Sequence, residues 1–209
     1  MAIWCFKPNV IKEELRKMNK YKIIAICGKS ASGKDTLLQQ MIKNNSDLHE
    51  IVSFTTRPPR EGEVDGKHYF FLNIDEVREK YFNGDIIEVS MFRDWLYGTP
   101  VSGLDVNKIN VGVFNPEGVS SLLENDDIEI FVILVQAPDK IRLIRSLNRE
   151  TNPDVDEIIR RYGTDKEDFA NFSQIYEPEY VLDTSGITWE EFELRAQEIV
   201  SLARDFWAE

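Results

Sequence analysis

At 209 residues, 42% of them hydrophobic, the chain can form one compact α/β unit with a small inserted lobe, but not two full domains. Its formal net charge of -12 argues against nucleic acid as a partner, because nucleic-acid binding draws on a net basic surface. Only two cysteines occur, Cys5 in the N-terminal extension and Cys27 at the end of an apolar run, which argues against a disulfide framework. They have no nearby histidines, which argues against a metal site built on cysteine.

The sequence shows neither a membrane span nor a secretion signal. No stretch approaches the roughly 20 apolar residues that a membrane helix needs. Residues 1–8 lack the charged flank and the long apolar segment of a signal peptide. We therefore expect a cytoplasmic protein with no membrane partner.

The first elements in chain order are an extension and a strand–loop–helix unit. Residues 1–20 are predicted to form the extension, with a short amphipathic helix at residues 9–18. Residues 23–27 are continuously apolar, which is typical of a strand buried on both faces. Glycine-rich sequence follows, and residues 36–42 have helical spacing. This order predicts a βα unit of a parallel sheet, and residues 51–54 predict a second short strand.

A small lobe is predicted next, because the composition changes between residue 55 and about residue 101. This stretch is rich in Arg, Pro, Gly and aromatic residues. It contains one helical segment at residues 74–82 and strand-like pieces at residues 69–71 and 86–89. The main fold then resumes with further strands at 111–114, 130–135 and 180–182, and with helices from Pro116, from Pro138 and over 188–208. The apolar residues predicted on the inner face of the last helix are Trp189, Phe192, Ala196, Ile199, Val200, Ala203 and Phe206.

Residues 28–34, GKSASGK, match the phosphate-loop pattern G-x-x-x-x-G-K. Glycines let the backbone curl so that N–H groups point at phosphate oxygens, and the following helix directs its positive dipole end to the same place. Lys34 is expected to neutralise charge on the β and γ phosphates. Because the pattern follows a buried strand and opens a helix, it predicts phosphate binding. The candidate ATP-binding residues are Gly28, Lys29, Ser30, Ala31, Ser32, Gly33, Lys34, Asp35 and Thr36.

The position after the lysine departs from the usual pattern. A Ser or Thr hydroxyl normally binds Mg²⁺ there, but this chain has Asp35 followed by Thr36. A carboxylate is a stronger magnesium ligand than a hydroxyl, although it also repels the phosphates. We hypothesise that Asp35 holds the metal, directly or through water. In the alternative, Thr36 points into the site and Asp35 only caps the helix.

A second candidate phosphate site contains Arg57 and Arg60, three residues apart on a chain stiffened by two prolines. Prolines fix φ, so both guanidinium groups can be held ready for a dianionic phosphate. The surrounding run at residues 53–69, SFTTRPPREGEVDGKHY, resembles the monophosphate-binding signature of guanylate kinases. The resemblance extends through most of the chain from about residue 21, more loosely in the last third.

The resemblance implies an α/β P-loop NTPase fold, with a parallel sheet core flanked by helices, an inserted NMP-binding lobe and a helical lid. It also implies transfer of the γ-phosphate of ATP to GMP or dGMP with Mg²⁺ as cofactor, giving ADP and GDP or dGDP. The division that follows is an extension at 1–20, a core at 21–52, 103–138 and 172–209, a lobe at 53–102 and a lid at 139–171.

The resemblance assigns the acceptor nucleotide to the lobe. The arginines and tyrosines there would bind its phosphate, while Ser53 and Glu88 would read the guanine edge. A carboxylate at position 88 can accept from both the N1–H and the 2-amino group of guanine, whereas adenine offers neither donor on that edge. The implied GMP-binding residues are Ser53, Arg57, Arg60, Tyr69, Glu88, Tyr97, Gly98 and Thr99.

Arg145, Arg149 and Arg160 match the arginines of the family's lid, and with Lys34 they are the implied catalytic residues. The lid arginines would close over the ATP phosphates and stabilise charge on the transferred group. For any single one of them, a solvated helix face is the alternative. Residues 183–185 fall where the family holds the adenine ring, although Asp, Thr and Ser are also common turn residues.

One strand departs from the family pattern, because it carries Val113 and Asn115 where the family has two aspartates. This loss suggests that the metal ligand has moved to Asp35. Two other functions stay open, namely a guanylate-kinase-like binding module without activity and a kinase of the same fold with another (deoxy)nucleotide acceptor. The intact loop and arginine pair favour the enzyme. No implied contact distinguishes ribose from deoxyribose.

Overall fold

The structure is a computed structural model that describes residues 20–60, 62–92, 94–149, 151–172 and 176–208. The helix predicted at residues 9–18 lies outside the described residues. Within the described part of the chain, no helix is long and apolar enough to cross a membrane.

Strands and helices alternate along most of the chain. The strands are β1 (Tyr21–Cys27), β2 (Leu48–Glu50), β3 (Phe54–Thr55), β4 (Phe70–Phe71), β5 (Ile86–Phe92), β6 (Trp95–Pro100), β7 (Ile109–Phe114), β8 (Ile128–Gln136) and β9 (Tyr180–Asp183). The helices are α1 (Lys34–Lys43), α2 (Ile74–Asn83), α3 (Pro116–Leu123), α4 (Asp139–Asn148), α5 (Val155–Asp168) and α6 (Trp189–Phe206). A single 3₁₀ turn follows β6 at Val101–Gly103.

The core is a five-stranded sheet in the order β2-β7-β1-β8-β9, and its neighbouring strands all pair in parallel. At the centre, Ile24 pairs with Val111 on one side and with Phe131 on the other. The central strand is buried on both faces, which explains its unbroken apolar run. The predicted parallel α/β core is therefore confirmed.

Helices cover both faces of this sheet. On one face, Ile24 and Ile26 belong to a buried cluster that includes residues of α1 and α6. On the other face, Ile23 and Ala25 belong to a cluster that includes residues of α3. Alternate side chains of β1 thus pack into the two clusters on opposite faces of the sheet. The carboxyl end of β1, where the phosphate loop begins, is fixed between these two clusters.

The second sheet has four strands in the order β4-β3-β6-β5, and α2 lies between β4 and β5 in the chain. Strand β6 needs a glycine at Gly98, since a Cβ there would lie 2.2 Å from the carbonyl oxygen of Glu88 and 2.7 Å from the Phe54 ring. Close backbone approach of this kind is a common reason for a glycine inside a strand. All four strands fall inside the lobe proposed at 53–102, whose exact limits stay a prediction.

The strand predicted at residues 51–54 is wrong in its boundaries. The structure has one strand before it, Leu48–Glu50 in the core sheet, and another at Phe54–Thr55 in the lobe. Ile51 is buried and donates its N–H to the Val111 carbonyl at 2.9 Å without extending the strand. The apolar run therefore marks the place where the chain passes from one sheet to the other.

The inner face predicted for α6 is correct in its middle and wrong at its ends. Trp189 is 53% exposed and Phe206 is 44% exposed, because both lie in the terminal turns of the helix. Trp189 stacks on Phe192, and Phe206 contacts Phe131 edge-on. The buried residues of the predicted face are Phe192, Ala196, Ile199, Val200 and Ala203.

Candidate active site

The phosphate loop forms a tight turn at the carboxyl end of β1. The Ser32 N–H donates to the Lys29 carbonyl at 3.1 Å, and Ala31 has a φ of 59°. Gly33, with a φ of 108°, is the N-cap of α1. A Cβ at Gly28 would lie 2.3 Å from a backbone oxygen of β8, so the loop starts where only glycine fits. The predicted helix start at Lys34 is confirmed.

Side chains from elsewhere in the fold bind the loop's carbonyl groups. Arg142 Nη1 donates to the Ser30 carbonyl at 2.9 Å. Thr184 Oγ1 donates to the Ser32 carbonyl at 2.7 Å, and Arg145 Nη1 donates to the same oxygen at 3.2 Å. In a trans peptide the C=O and the next N–H point in opposite directions. The N–H groups that follow these carbonyls therefore point away from the binding side chains and are available to an anion.

The first turn of α1 carries the charged and hydroxyl groups expected at a phosphate site. Lys34 Nζ lies 3.4 Å from the Lys29 carbonyl, across its own loop. Asp35 is exposed and is not the N-cap residue, because Gly33 takes that position. Thr36 lines a separate cavity of about 260 Å³ with Arg145, Thr184 and Trp189, among others. The part of the alternative in which Asp35 is the N-cap is therefore wrong, while the roles of Asp35 and Thr36 toward a metal stay predictions.

Asn115, which stands where the family has an aspartate, has a structural contact. Its Oδ1 accepts from the Gly118 N–H at 2.8 Å and caps α3. Among the described residues, no group of three or more His, Cys, Asp or Glu side chains could hold a metal ion.

In the lobe, Arg57 is held in place by Glu63. Arg57 Nη2 lies 2.8 Å from Glu63 Oε1, and its guanidinium group is 5.8 Å from the centroid of the Tyr69 ring. The other oxygen of Glu63 accepts from the backbone N–H of Arg60 at 2.6 Å. The hydrogen bond from Glu63 raises the pKa of Arg57 above its already high ordinary value, so this group stays cationic. One carboxylate thus shapes the turn that presents both arginines.

The predicted base-reading carboxylate is partly withdrawn from water. Glu88 Oε1 accepts from Thr99 Oγ1 at 2.8 Å, and Thr99 is fully buried. Burial raises the pKa of Glu88, while the hydrogen bond from Thr99 opposes part of that rise. Tyr69 and Tyr97 meet edge-on with ring centroids 6.1 Å apart, and Ser53 is half-buried. Glu88 lies on β5, and Tyr97 and Thr99 lie on the neighbouring β6, while Ser53 and Tyr69 directly precede β3 and β4.

Arginines from the lobe and the lid meet at the phosphate loop. A cleft of about 190 Å³ is lined by residues from all three parts, including Ser30, Ala31, Arg60, Arg149 and Arg161. A neighbouring cleft of about 300 Å³ is lined by residues that include Gly28, Lys34, Asn115, Arg160, Arg161 and Asp168. The structure therefore places Arg60 of the second predicted phosphate site on the same cleft as Ser30 and Ala31 of the phosphate loop.

The lid arginines occupy different environments. Arg145 donates to the Thr184 carbonyl at 2.8 Å and lies against the carbonyl side of the phosphate loop. Arg149 is exposed at the end of α4. Arg160 forms an ion pair with Glu157 at 2.7 Å. Their catalytic roles stay predictions.

The sequence did not single out Arg161, Arg142 or Asp165. Arg161 lines both clefts. It directly follows Arg160 in the sequence, and this adjacency could have identified it as a candidate site residue. Arg142 and Asp165 form a buried ion pair at 2.8 Å that contacts the phosphate loop. In the sequence they look like ordinary charged residues of polar helices, and nothing in their spacing marks them as neighbours of Ser30.

The guanylate kinase family model matches residues 20–188. The chain belongs to the guanylate kinase family. A guanylate kinase of Prochlorococcus marinus is 31% identical over 72% of this chain and 77% of its own length. One of Malacoplasma penetrans is 34% identical over 69% of this chain and 79% of its own length. One of Synechococcus elongatus is 37% identical over 44% of this chain, and the chain spans only 49% of that relative's length.

A solved structure agrees on the fold. The crystal structure of a guanylate kinase from Anaplasma phagocytophilum superposes with a TM-score of 0.58 at 22% sequence identity. The match covers 90% of this chain and 86% of the other. The fold predicted from the resemblance, that of a P-loop NTPase, is therefore confirmed for this guanylate kinase family member.

Proposed function

We propose that the protein transfers the γ-phosphate of ATP to GMP or dGMP. The observation that carries this proposal is the cleft in which Arg60 of the lobe and Arg149 and Arg161 of the lid line one space with the phosphate loop. A scaffold has no need to bring cations from both the lobe and the lid to the phosphate loop. A phosphotransferase needs them, because its catalysis is mainly positioning and charge stabilisation.

In the proposed reaction, an oxygen of the acceptor phosphate attacks the γ-phosphorus of ATP, and the bond to the β–γ bridging oxygen breaks. Lys34 and the loop N–H groups bind the donor phosphates, while Arg57 and Arg60 hold the acceptor phosphate. Arg149 and Arg160 are assigned to charge that develops on the transferred group. Arg145 holds the loop's carbonyl side, and the cavity next to it at Thr184 is our candidate for the adenine ring.

Acceptor choice is assigned to Glu88. As a carboxylate it accepts two hydrogen bonds from the guanine edge, and its contact with Thr99 fixes its orientation. Adenine offers no donors at these positions. Its partial burial makes an unsatisfied carboxylate costly, so a base without the two donors is rejected.

For Mg²⁺, the residues present fit a site that is completed by the nucleotide. Mg²⁺ is commonly bound by one or two carboxylates together with substrate phosphates and waters. Asp35 is exposed next to Lys34, and we assign it as the ligand, directly or through water. When bound, the ion would neutralise charge on the phosphates. The cytoplasmic location rests on the sequence and stays a prediction.

The test is an acceptor panel with purified protein, ATP and MgCl₂. GMP, dGMP, AMP, CMP and dTMP are each added, ADP release is followed in a coupled assay, and the products are separated by chromatography. We expect GMP and dGMP to be converted and AMP to be a poor acceptor. Saturable GMP binding without GDP formation would leave a binding module, and faster conversion of dTMP or CMP would overturn the assignment of Glu88.

A further inference from the structure

An ion pair at the root of the lid contacts the phosphate loop. Arg142 lies in the first turns of α4, and Asp165 lies in the last turn of α5, so both are near the points where the lid leaves and re-enters the core. Their side chains are 2% and 11% exposed, and Arg142 Nη1 is 2.8 Å from Asp165 Oδ2. A second carboxylate, Asp139, lies 2.8 Å from Arg142 Nη2.

This pair binds every polar group of one loop residue. Asp165 accepts from the Ser30 N–H at 2.9 Å and from Ser30 Oγ at 3.1 Å. Arg142 donates to the Ser30 carbonyl at 2.9 Å. The Tyr162 ring covers the guanidinium group at 4.4 Å, and the Tyr162 hydroxyl donates to the Asp139 carbonyl. The orientation of the two peptide groups of Ser30 is therefore set by the lid helices.

Stability alone is a weak reason for such a pair. A buried ion pair loses hydration, and apolar side chains of similar volume often stabilise a fold equally well. The Nε of Arg142 is also buried without a hydrogen-bond partner among the described residues, which adds to the cost. What apolar side chains could not do is bind the N–H, the hydroxyl and the carbonyl of Ser30.

We propose that Arg142 and Asp165 are positioning residues that hold the phosphate loop ready for ATP; this rests on the proposed kinase function. Ala31, the residue after Ser30, has a φ of 59°, a conformation that persists in non-glycine residues only where neighbouring groups enforce it. Because the Ala31 N–H points opposite to the Ser30 carbonyl, the bond from Arg142 directs that N–H toward the phosphate side. Without the pair, the Ser30–Ala31 peptide can rotate and the phosphates lose a donor.

The test replaces the pair by apolar side chains in the double variant Arg142→Met/Asp165→Leu. Urea unfolding measures stability, amide exchange of residues 28–34 without nucleotide measures loop order, and calorimetry measures ATP binding. We expect unfolding close to wild type, faster loop exchange and a KM and Kd for ATP raised roughly tenfold or more, as for lost hydrogen bonds to charged groups. The KM for GMP should not change.

Two further variants keep the test decisive. Asp165→Asn retains an oxygen that can accept from the Ser30 N–H, so it should rescue part of the ATP affinity. Glu167→Gln removes a charge from the same turn of α5, where the side chain is exposed, and should leave all readouts unchanged. If the double variant has wild-type loop exchange and ATP affinity, the proposal is overturned; if it does not fold, Asp165→Asn with both values unchanged overturns it equally.

Failure of the proposed function would look different. Wild-type protein would then bind ATP and show an ordered loop but would not convert GMP in the acceptor panel. Loop exchange and ATP binding in the variants would still decide whether the ion pair positions the loop.

Discussion

The two proposed phosphate sites are built from different chemical groups. The donor site uses backbone groups at the end of a buried strand, with Ser32 fully buried and the loop carbonyls bound by Arg142, Arg145 and Thr184. The proposed acceptor site uses side chains on a lobe where Arg60 is exposed and Arg57 is paired with the carboxylate of Glu63.

Because of this difference, we expect the two sites to be sensitive to different kinds of substitution. A site made of backbone groups depends on the conformation of the loop. It should therefore be most sensitive to loss of the charged Lys34 or of the side chains outside the loop that bind its carbonyl groups. A side-chain site depends on a few functional groups, so each substitution should change binding of one substrate and leave the other alone. Four substitutions follow, from the largest expected effect to the smallest.

Lys34→Ala should have the largest effect. Removing a cation that acts on the transferred phosphate is expected to lower kcat by roughly 30- to 1,000-fold, or about 2–4 kcal/mol. The KM for GMP should change little, because the acceptor is bound by the lobe. Steady-state kinetics with varied ATP and GMP checks this, with the exposed Lys43→Ala in the same helix as control. A rise in the KM for GMP as large as the fall in kcat would contradict the separation of the two sites.

Arg57→Ala should act on the acceptor alone. The loss of hydrogen bonds to a charged phosphate is expected to raise the KM for GMP about 10- to 100-fold. Arg57→Lys should recover only part of this, because an ammonium group cannot bind a phosphate with two parallel hydrogen bonds. The exposed Arg78→Ala on the same lobe serves as the control. An equal rise in the KM for ATP would show that the two sites are not independent.

Glu88 should give GMP binding a pH dependence. Burial raises its pKa, and only the carboxylate form accepts two hydrogen bonds from guanine. As the pH falls through this raised pKa, the group gains a proton and the KM for GMP should rise, beginning at a higher pH than for an ordinary Glu. The measurement is the KM for GMP between about pH 8 and pH 5.

Glu88→Gln should weaken GMP binding and remove this pH dependence. The exposed Glu79→Gln on the same lobe should keep it. A pH profile that is identical in Glu88→Gln and wild type would assign the titration to another group.

Asp35→Ser should have the smallest effect. If Asp35 contributes one ligand among phosphates and waters, its loss should raise the Mg²⁺ concentration for half-maximal rate by about two- to fivefold. The double variant Asp35→Ser/Asn115→Asp should retain more activity than the single one. Identical Mg²⁺ curves for wild type and Asp35→Ser would remove Asp35 from the metal site.

Sequence reasoning worked where local patterns and burial coincide. The apolar run of β1, the loop after it and the start of α1 all appear in the structure as predicted. Strand β6 was missed, because Gly98 and Pro100 favour a loop by composition. Pairing with β5 and β3 makes it a strand, and the need for glycine comes from the carbonyl oxygen of Glu88 and the ring of Phe54.

The sequence by itself determined the phosphate loop, the paired arginines after β3 and the family, because these depend on residues that are close along the chain. Only the tertiary structure decided which lid residues serve the loop. Ser30 and Asp165 are 135 positions apart, and their contact exists only because both ends of the lid return to the edge of the sheet where β1 ends. Contacts between such distant residues depend on packing that no local pattern records.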